Sequence, residues 1–262
     1  MLSTMGIPDD LSALLRAMAG DFPLMLRGNL VGIYLWGSLT YDEFDETCSD
    51  VDLVCVTRRD MDDREFSELD LWFKKQDEHN RWVGRIDMRF VIDGELLDRS
   101  SRCCGFYPYT GRLVRHGSDA NPFIWMNVGQ SGITLWGNDA RLIAPHVSDQ
   151  CLNDALLLEL DYLKEALAAN AGDRSDTAFR HNAYAALTVC RILYSAYHRT
   201  LASKNRAYEW AMGKVAPAWR AVIQTARDNR LKNAGSTTPQ LEHDAMRFVE
   251  FATGEVNRVL RV

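Results

Sequence analysis

Three acidic residues and one Gly-Ser pair are the part of this sequence best suited to chemistry. Asp50 and Asp52 form an Asp-x-Asp that leads into the apolar run Val51 to Val56. Side chains on a strand alternate between its two faces, so this spacing predicts both carboxylates on the same side. Two carboxylates so close together repel each other unless a cation lies between them. The pair therefore predicts a magnesium site, because magnesium favours carboxylate oxygens and keeps positions for water and phosphate.

Gly37 and Ser38 follow the apolar run Leu30 to Trp36, about ten residues before the acidic pair. A glycine lets phosphate groups approach the backbone closely, and the Ser38 hydroxyl and nearby amides can donate hydrogen bonds to phosphate oxygens. The order of strand, Gly-Ser, polar loop and Asp-x-Asp predicts a cradle for a nucleoside triphosphate beside the metal. Each part alone is common, since an isolated Asp-x-Asp is often an ordinary loop acid.

Asp87 is the candidate for a third carboxylate. It lies in the strand-like run Gly84 to Val91, where an inward-facing acid is costly unless it serves a site. A third carboxylate would help to hold the catalytic metal and would accept the proton of the attacking hydroxyl. Together with Asp50 and Asp52, this residue predicts nucleotidyl transfer with two magnesium ions.

The elements that must position these residues fall into two halves. Apolar residues recur at helical spacing in Asp10 to Arg27 and in Glu65 to His79, which predicts two helices. We expect these helices to cover one sheet. The strands of this sheet are predicted in four β-branched and aromatic runs: Leu30 to Trp36, Val51 to Val56, Ile86 to Val91 and Ile133 to Trp136.

The second half consists of long amphipathic segments, which predict an all-α helical domain. We place the domain boundary so that residues 1–147 form the first domain and residues 148–262 the second, with Ser148 or Asp149 able to cap the first helix of the second domain. The predicted helices are Leu152 to Ala169, Thr177 to Arg199, Lys204 to Val215, Ala218 to Asn229 and Pro239 to Val259.

Composition excludes several classes of protein. The 262 residues are 47% apolar and carry a net charge of −6, which predicts an ordinary globular protein that repels nucleic-acid phosphates and suits a cationic partner. The six cysteines form no CxxC pair, so neither a disulfide framework nor a structural zinc is expected. No apolar run approaches the roughly 20 residues that span a bilayer. We therefore expect a cytoplasmic protein with no nucleic-acid or membrane partner.

The motif of Gly37-Ser38, Asp50-Val51-Asp52 and Asp87 resembles the polymerase-β-like nucleotidyltransferase superfamily. The rest of the chain is similar to the aminoglycoside (3'')(9) adenylyltransferases, which are streptomycin and spectinomycin resistance enzymes. This similarity is carried by several segments in the same order along nearly the whole chain: Ile133 to Gly137, Leu187 to Ser195, Ala202 to Ala207, Glu209 to Met212 and Phe248 to Val256.

The resemblance implies an α/β (α+β) nucleotidyltransferase domain, built on a mixed sheet, and an all-α helical-bundle domain that closes over ATP. We expect a monomer. ATP would be the co-substrate, and a small cationic molecule the acceptor. Carried over by position, Arg191 and Lys204 would contact the nucleotide, and Ser49 would supply a further phosphate contact. Two fixed cations suit this role because they neutralise triphosphate charge.

This chain departs from the family pattern where substrates are chosen. The third acid is Asp87 instead of a glutamate, and the tyrosine near the nucleotide is replaced by Arg230. The acid that holds the cationic drug falls on His181, or on Asp173 or Asp176 if the alignment shifts. Trp125 and Tyr109 are candidates for the aromatic drug contact.

The sequence therefore predicts an enzyme that transfers AMP from ATP to a hydroxyl of an aminoglycoside-type antibiotic. Two alternatives stay open: a nucleotidyltransferase for another small molecule or a protein, and an inactive nucleotide-binding regulator. The presence of all three mutually repelling acids argues against an inactive regulator.

Overall fold

The chain folds into two compact units, Met1–His146 and Val147–Val262. The computed structural model describes residues 6–101, 103–108, 110–117, 121–173, 175–232 and 239–261. The first unit combines a sheet with helices, and the second unit is helical within these ranges. An α/β domain with a mixed sheet, followed by a helical domain, was predicted from the sequence, and this fold class is confirmed.

The first unit is built on a six-stranded sheet in the order β5-β4-β3-β2-β1-β6. Strands β2 and β3 run parallel and the other neighbours are antiparallel, so the sheet is mixed. The elements of this unit are α1 (Asp9–Leu26), β1 (Leu30–Leu35), β2 (Val51–Thr57), α2 (Asp63–Asp77), β3 (Ile86–Ile92), β4 (Cys103–Tyr107), β5 (Arg112–Gly117), α3 (Pro122–Ser131), β6 (Ile133–Gly137) and α4 (Ala140–Ile143).

A hydrophobic core cluster lies on one face of this sheet, under α1 and α2. Val51, Leu53 and Cys55 of β2 point into this core, as do Ile86, Met88 and Phe90 of β3. Because side chains alternate along a strand, the residues between them point to the opposite face. That second face is therefore the side of the sheet that carries Asp52 and Asp87.

The four predicted strands are β1, β2, β3 and β6, and both helices predicted in the first half are present as α1 and α2. Strands β4 and β5 and helix α3 were not predicted. Strand β4 has the sequence Cys-Cys-Gly-Phe-Tyr, and β5 lies at the sheet edge with two arginines and a histidine, so neither shows clear apolar alternation. Their strand structure comes from pairing with β3 and with each other.

The second unit contains the five predicted helices. They are α5 (Asp149–Ala169), α6 (Asp176–His198), α7 (Lys204–Lys214), α8 (Pro217–Lys232) and α9 (Pro239–Leu260). Ser148 is the N-cap of α5, because its side chain accepts a hydrogen bond from the Cys151 amide. Helix α6 is buried on most sides by the other four, and its run of alanines and other small residues allows their close approach.

No helix in the described ranges is long and apolar enough to cross a membrane. The helices instead carry charged residues between their buried positions. In α9, for example, Glu255 lies beside Val256, which is fully buried.

Glu255 provides a test of packing in the second unit. Its carboxylate accepts hydrogen bonds from Arg258 and from Tyr197 of α6, and these contacts lower the pKa of Glu255 from an ordinary 4.5 to about 2. A lowered pKa stabilises the fold above the ordinary value, and this contribution is lost as the pH falls towards 2. We expect Glu255→Gln to lower the free energy of unfolding by about 1–2 kcal/mol at about pH 7, and by less at about pH 3.

Urea unfolding followed by circular dichroism at both pH values measures this difference. Glu250→Gln, which changes an exposed acid of the same helix, is the control. Equal losses at the two pH values would contradict the proposed role of the carboxylate.

Candidate active site

Asp52 and Asp87 lie next to each other on neighbouring strands. In the parallel pairing of β2 with β3, Asp52 is the register partner of Asp87. Paired strands lie about 4.8 Å apart, and both residues point to the face opposite the α1 and α2 core. Two of the three predicted carboxylates are therefore brought together by the sheet itself, although 35 positions separate them in the sequence.

Asp50 precedes β2 by one residue and is exposed. Its place on the same side as Asp52 follows from strand alternation only if the alternation continues one residue before the strand begins. In the described ranges, no three Asp, Glu, His or Cys side chains already converge in the geometry of a metal site. The donors at hand are carboxylate oxygens, which fit magnesium in kind, and the two-ion arrangement stays a prediction.

Gly37 begins the turn that follows β1, and Asp52 lies against it. The φ of Gly37 is +73°, a value that favours glycine, and a Cβ placed there would lie 2.0 Å from the Asp52 Oδ2 atom. The Trp36 amide donates a hydrogen bond of 3.1 Å to the Asp52 carbonyl, which fixes the turn against β2. The sequence therefore needs glycine here for two reasons, backbone conformation and the space that the carboxylate fills.

Asn127 of α3 holds this turn in place. Its side chain is 2% exposed, and its Oδ1 accepts a hydrogen bond of 2.6 Å from the Gly37 amide. Its Nδ2 donates to the Ser131 hydroxyl at 3.0 Å, and that hydroxyl lies 3.0 Å from the hydroxyl of Thr40. Thr40 in turn donates to the Gly37 carbonyl at 2.8 Å. The turn is thus held through both polar groups of the Gly37 backbone.

The two predicted serine contacts differ in their surroundings. The Ser38 Oγ atom is buried and has no hydrogen-bond partner in the part of the chain that the structure describes. Ser49 is 4% exposed, and its Oγ accepts a hydrogen bond of 3.0 Å from the Asp45 amide, so its hydroxyl proton remains a donor. A buried hydroxyl without a partner costs free energy, which suits a residue that pairs with a ligand.

Arg89 lies two residues after Asp87 on β3 and shares its face. The guanidinium of Arg89 donates to both carboxylate oxygens of Asp87 and stacks on the ring of Tyr107, 4.1 Å from its centroid. The predicted base is therefore engaged with a cation inside the first unit.

Tyr34 lies on the face of the sheet that carries Asp52 and Asp87. Its phenol oxygen is therefore an alternative proton acceptor. Burial raises the pKa of its hydroxyl to about 12, with smaller effects in the same direction from Cys55, Asp93 and Asp139. A phenol with this pKa stays protonated at neutral pH, so Asp87 is the better candidate for a base.

The predicted nucleotide contacts Arg191 and Lys204 belong to the second unit. Arg191 lies on α6, and its Nε donates to the Ala202 carbonyl at 3.2 Å, just before α7 begins. Lys204 is the first residue of α7, and its Nζ lies 5.8 Å from the ring centroid of Tyr184 on α6. The two cations therefore lie near the same part of this unit, where α6 and α7 meet.

The residues predicted to contact the acceptor molecule include His181, Asp176 and Trp125, which lie on α6 and α3. His181 is exposed on α6, whereas Trp125 of α3 is 1% exposed and its indole N–H is buried without a described partner. Asp176 begins α6 and Arg230 lies on α8, but the side chains of both fall outside the described part. Tyr109 is also outside the described residues. The predicted roles of these residues stay predictions.

Two residues of the site were not predicted from the sequence. Asn127 is a polar residue within the apolar run Pro122 to Val128, which was a signal for a buried polar role. Arg89 follows Asp87 at strand spacing, so its place on the same face could have been derived from the pattern that placed Asp50 with Asp52.

Comparisons with known proteins agree on one family. The family model described as "Aminoglycoside adenylyltransferase, C-terminal domain" matches residues 143–255. A spectinomycin 9-adenylyltransferase of Campylobacter jejuni is 21% identical over 257 residues, which cover 90% of this chain and 92% of that protein. The crystal structure of spectinomycin adenyltransferase AAD(9) from Enterococcus faecialis with ATP and spectinomycin matches with a TM-score of 0.68 at 14% identity, covering 94% of this chain and 99% of that one. This structural likeness establishes the fold.

Asn127 gives a test of the Gly37 turn. In Asn127→Ala the Gly37 amide loses its acceptor, and we expect the free energy of unfolding to fall by about 1–3 kcal/mol and affinity for ATP with magnesium to fall about tenfold. Isothermal titration calorimetry measures the affinity. Ser131→Ala is the matched control, because it removes a partner of Asn127 and leaves the bond to Gly37. An equal loss of affinity in Ser131→Ala would show that the bond to Gly37 is not the important one.

Proposed function

Because the chain is a member of the aminoglycoside adenylyltransferase family, a class of nucleotidyltransferases, we propose that it transfers AMP from ATP to a hydroxyl of an aminoglycoside-type antibiotic. The observation that carries this proposal is the pairing of Asp52 with Asp87 on one face of the sheet, beside a glycine turn whose Ser38 hydroxyl is buried and has no partner among the described residues. Carboxylates and a phosphate cradle side by side are the parts that nucleotidyl transfer requires.

Each residue of the first unit has a task in this proposal. Gly37 and Ser38 bind the triphosphate, and Ser49 donates its hydroxyl proton to a phosphate oxygen. Asp87 takes the proton of the acceptor hydroxyl, whose oxygen attacks the α-phosphorus of ATP while the bond to the pyrophosphate oxygen breaks. Asp50, Asp52 and Asp87 would hold magnesium, which supplies neutralisation of the phosphate charge when it is bound.

The second unit supplies cations to the nucleotide. Arg191 is oriented by its bond to the Ala202 carbonyl, and Lys204 lies at the start of the adjoining helix. We propose that both bind ATP phosphates and that Arg230 takes the place of the family tyrosine by stacking on adenine or pairing with phosphate. Two fixed cations would stabilise the charge that develops on the leaving pyrophosphate.

The acceptor we propose is a cationic drug, with spectinomycin first and streptomycin second. Spectinomycin is named in both the relative and the solved structure that match this chain, and a net charge of −6 favours a cationic molecule. His181, Asp176 and Trp125 are the candidate contacts for it. We further propose that the protein acts as a monomer in the cytoplasm, where ATP is available.

A direct assay tests the activity and the acceptor together. Purified protein is incubated with ATP, magnesium and spectinomycin, streptomycin or a neutral sugar, and mass spectrometry detects an acceptor that has gained AMP. We expect transfer to spectinomycin and release of pyrophosphate. Magnesium-dependent ATP binding without transfer to either drug would leave the alternatives, a different small molecule or protein acceptor or an inactive regulator, and would contradict resistance as the function.

Substitution of the two paired carboxylates tests the catalytic assignment. We expect Asp52→Asn and Asp87→Asn to lower kcat by about a thousandfold or more while thermal melting stays close to wild type, because each removes a charge that acts on the reacting groups. Asp87→Glu, which keeps a carboxylate, should retain more activity than Asp87→Asn. Asp98→Asn, an exposed loop change on the same unit, is the control. Near-normal turnover in Asp87→Asn would show that another group is the base.

A further inference from the structure

The contacts of Arg89 are not explained by the roles assigned so far. Its guanidinium binds Asp87 on one side and an aromatic ring on the other, on the face of the sheet that carries the proposed chemistry. We propose that Arg89 is a positioning residue that holds the carboxylate of Asp87 in its working orientation. This inference rests on the proposed function, in which Asp87 is the base.

The contact between Arg89 and Asp87 has the geometry of a fork. Nη1 donates to Oδ1 and Nη2 lies 3.4 Å from Oδ2, so each carboxylate oxygen faces a different nitrogen. A planar guanidinium that faces both oxygens restricts rotation of the carboxylate, whereas a single contact would leave it able to turn. The i, i+2 spacing on β3 keeps both side chains on the same face at all times.

Arg89 is itself held by the neighbouring strand. Its register partner on β4 is Gly105, and the ring of Tyr107 occupies the space above that glycine, so that a Cβ at Gly105 would lie 2.7 Å from the ring. The guanidinium stacks on this ring with its central carbon 4.1 Å from the centroid. Glycine at this position therefore makes room for the aromatic support under Arg89.

Burial distinguishes this ion pair from those on the surface. The Arg89 side chain is 12% exposed and that of Asp87 is 25% exposed, whereas Arg64 and Glu68 on α2 are 61% and 35% exposed. Surface pairs contribute little because solvent screens them and the side chains move. A mostly buried, supported guanidinium can instead fix a partner within the small tolerance that proton transfer and in-line attack require.

The first experiment separates positioning from general stability through kinetic constants. We expect Arg89→Ala to lower kcat about 10- to 100-fold and to change KM for ATP by less than about threefold, because the base is misplaced while the phosphate cradle is intact. The kcat of Arg89→Lys, which keeps the charge and loses the fork, should lie between those of the wild type and Arg89→Ala. In an Asp87→Asn background, Arg89→Ala should have little further effect.

Chemical rescue supplies a result that a purely structural role would not give. Guanidinium or methylguanidinium at non-denaturing concentration should raise kcat of Arg89→Ala about fivefold or more, because the ion can enter the space on Tyr107 and bind Asp87. Urea, which has similar shape and no charge, should not. Arg115→Met is the matched control. Arg115 of β5 also stacks on an aromatic ring, that of Phe66, and pairs with an acid, Asp63; both partners lie on α2.

A second measurement does not depend on activity. It is a double-mutant cycle of Arg89→Ala and Asp87→Asn, followed by urea unfolding of metal-free protein. The unfolding equilibrium constant of the double variant should change by a factor about five times smaller than the product of the factors for the two single variants. No coupling would overturn the inference whether or not the protein is active. Should Arg89→Ala prove unstable, Arg89→Lys and Tyr107→Leu repeat both measurements.

Kinetics can overturn the proposal in two further ways. Unchanged turnover in Arg89→Ala would show that Asp87 needs no support, and higher turnover would show that the guanidinium keeps Asp87 from its task. Failure of wild-type protein to transfer AMP would instead contradict the proposed function, so the two failures are distinguishable.

Discussion

The parallel pairing of β2 with β3 is the constraint on which the rest of the site depends. It places Asp52 beside Asp87, and the repulsion between two carboxylates at that spacing has to be balanced by positive charge. Arg89 supplies part of that charge from within the protein, and a divalent cation suits the remainder. On the other face of the sheet, α1 and α2 bury a continuous apolar cluster that stabilises the strands carrying these charges.

The turn after β1, which is proposed to bind phosphate, is built against the same sheet. Gly37 has a backbone conformation that other residues adopt only with strain, and the Asp52 carboxylate occupies the space that a side chain would fill. Asn127 then satisfies the Gly37 amide from α3, a helix that lies 90 residues later in the sequence. The groups proposed to bind metal and phosphate are thus fixed to one another through hydrogen bonds and close contacts, which is the preorganisation that electrostatic catalysis needs.

Local pattern was sufficient to predict part of this structure from the sequence. The strands β1, β2, β3 and β6 have strong apolar and β-branched signals, and the helices of the second unit have clear periodicity, so the fold class could be predicted. The pairing of Asp52 with Asp87 could only be assumed, because register between distant strands is set by tertiary packing. The bond between Asn127 and Gly37 and the support of Arg89 by Tyr107 could not be predicted, because each contact joins elements whose packing is set by tertiary structure.

The proposed function requires one protein to bind both a polyanion, ATP, and a cationic acceptor. A net charge of −6 favours a cationic molecule and disfavours a polyanion, so the proposed binding of ATP would have to rely on local cations and on magnesium. Arg89 is already paired with Asp87, and its charge is largely used inside the first unit. In the proposed function, the side chains left to neutralise the triphosphate are Arg191 and Lys204, which lie where α6 and α7 meet. The family model matches residues 143–255, a range that includes both of these cations.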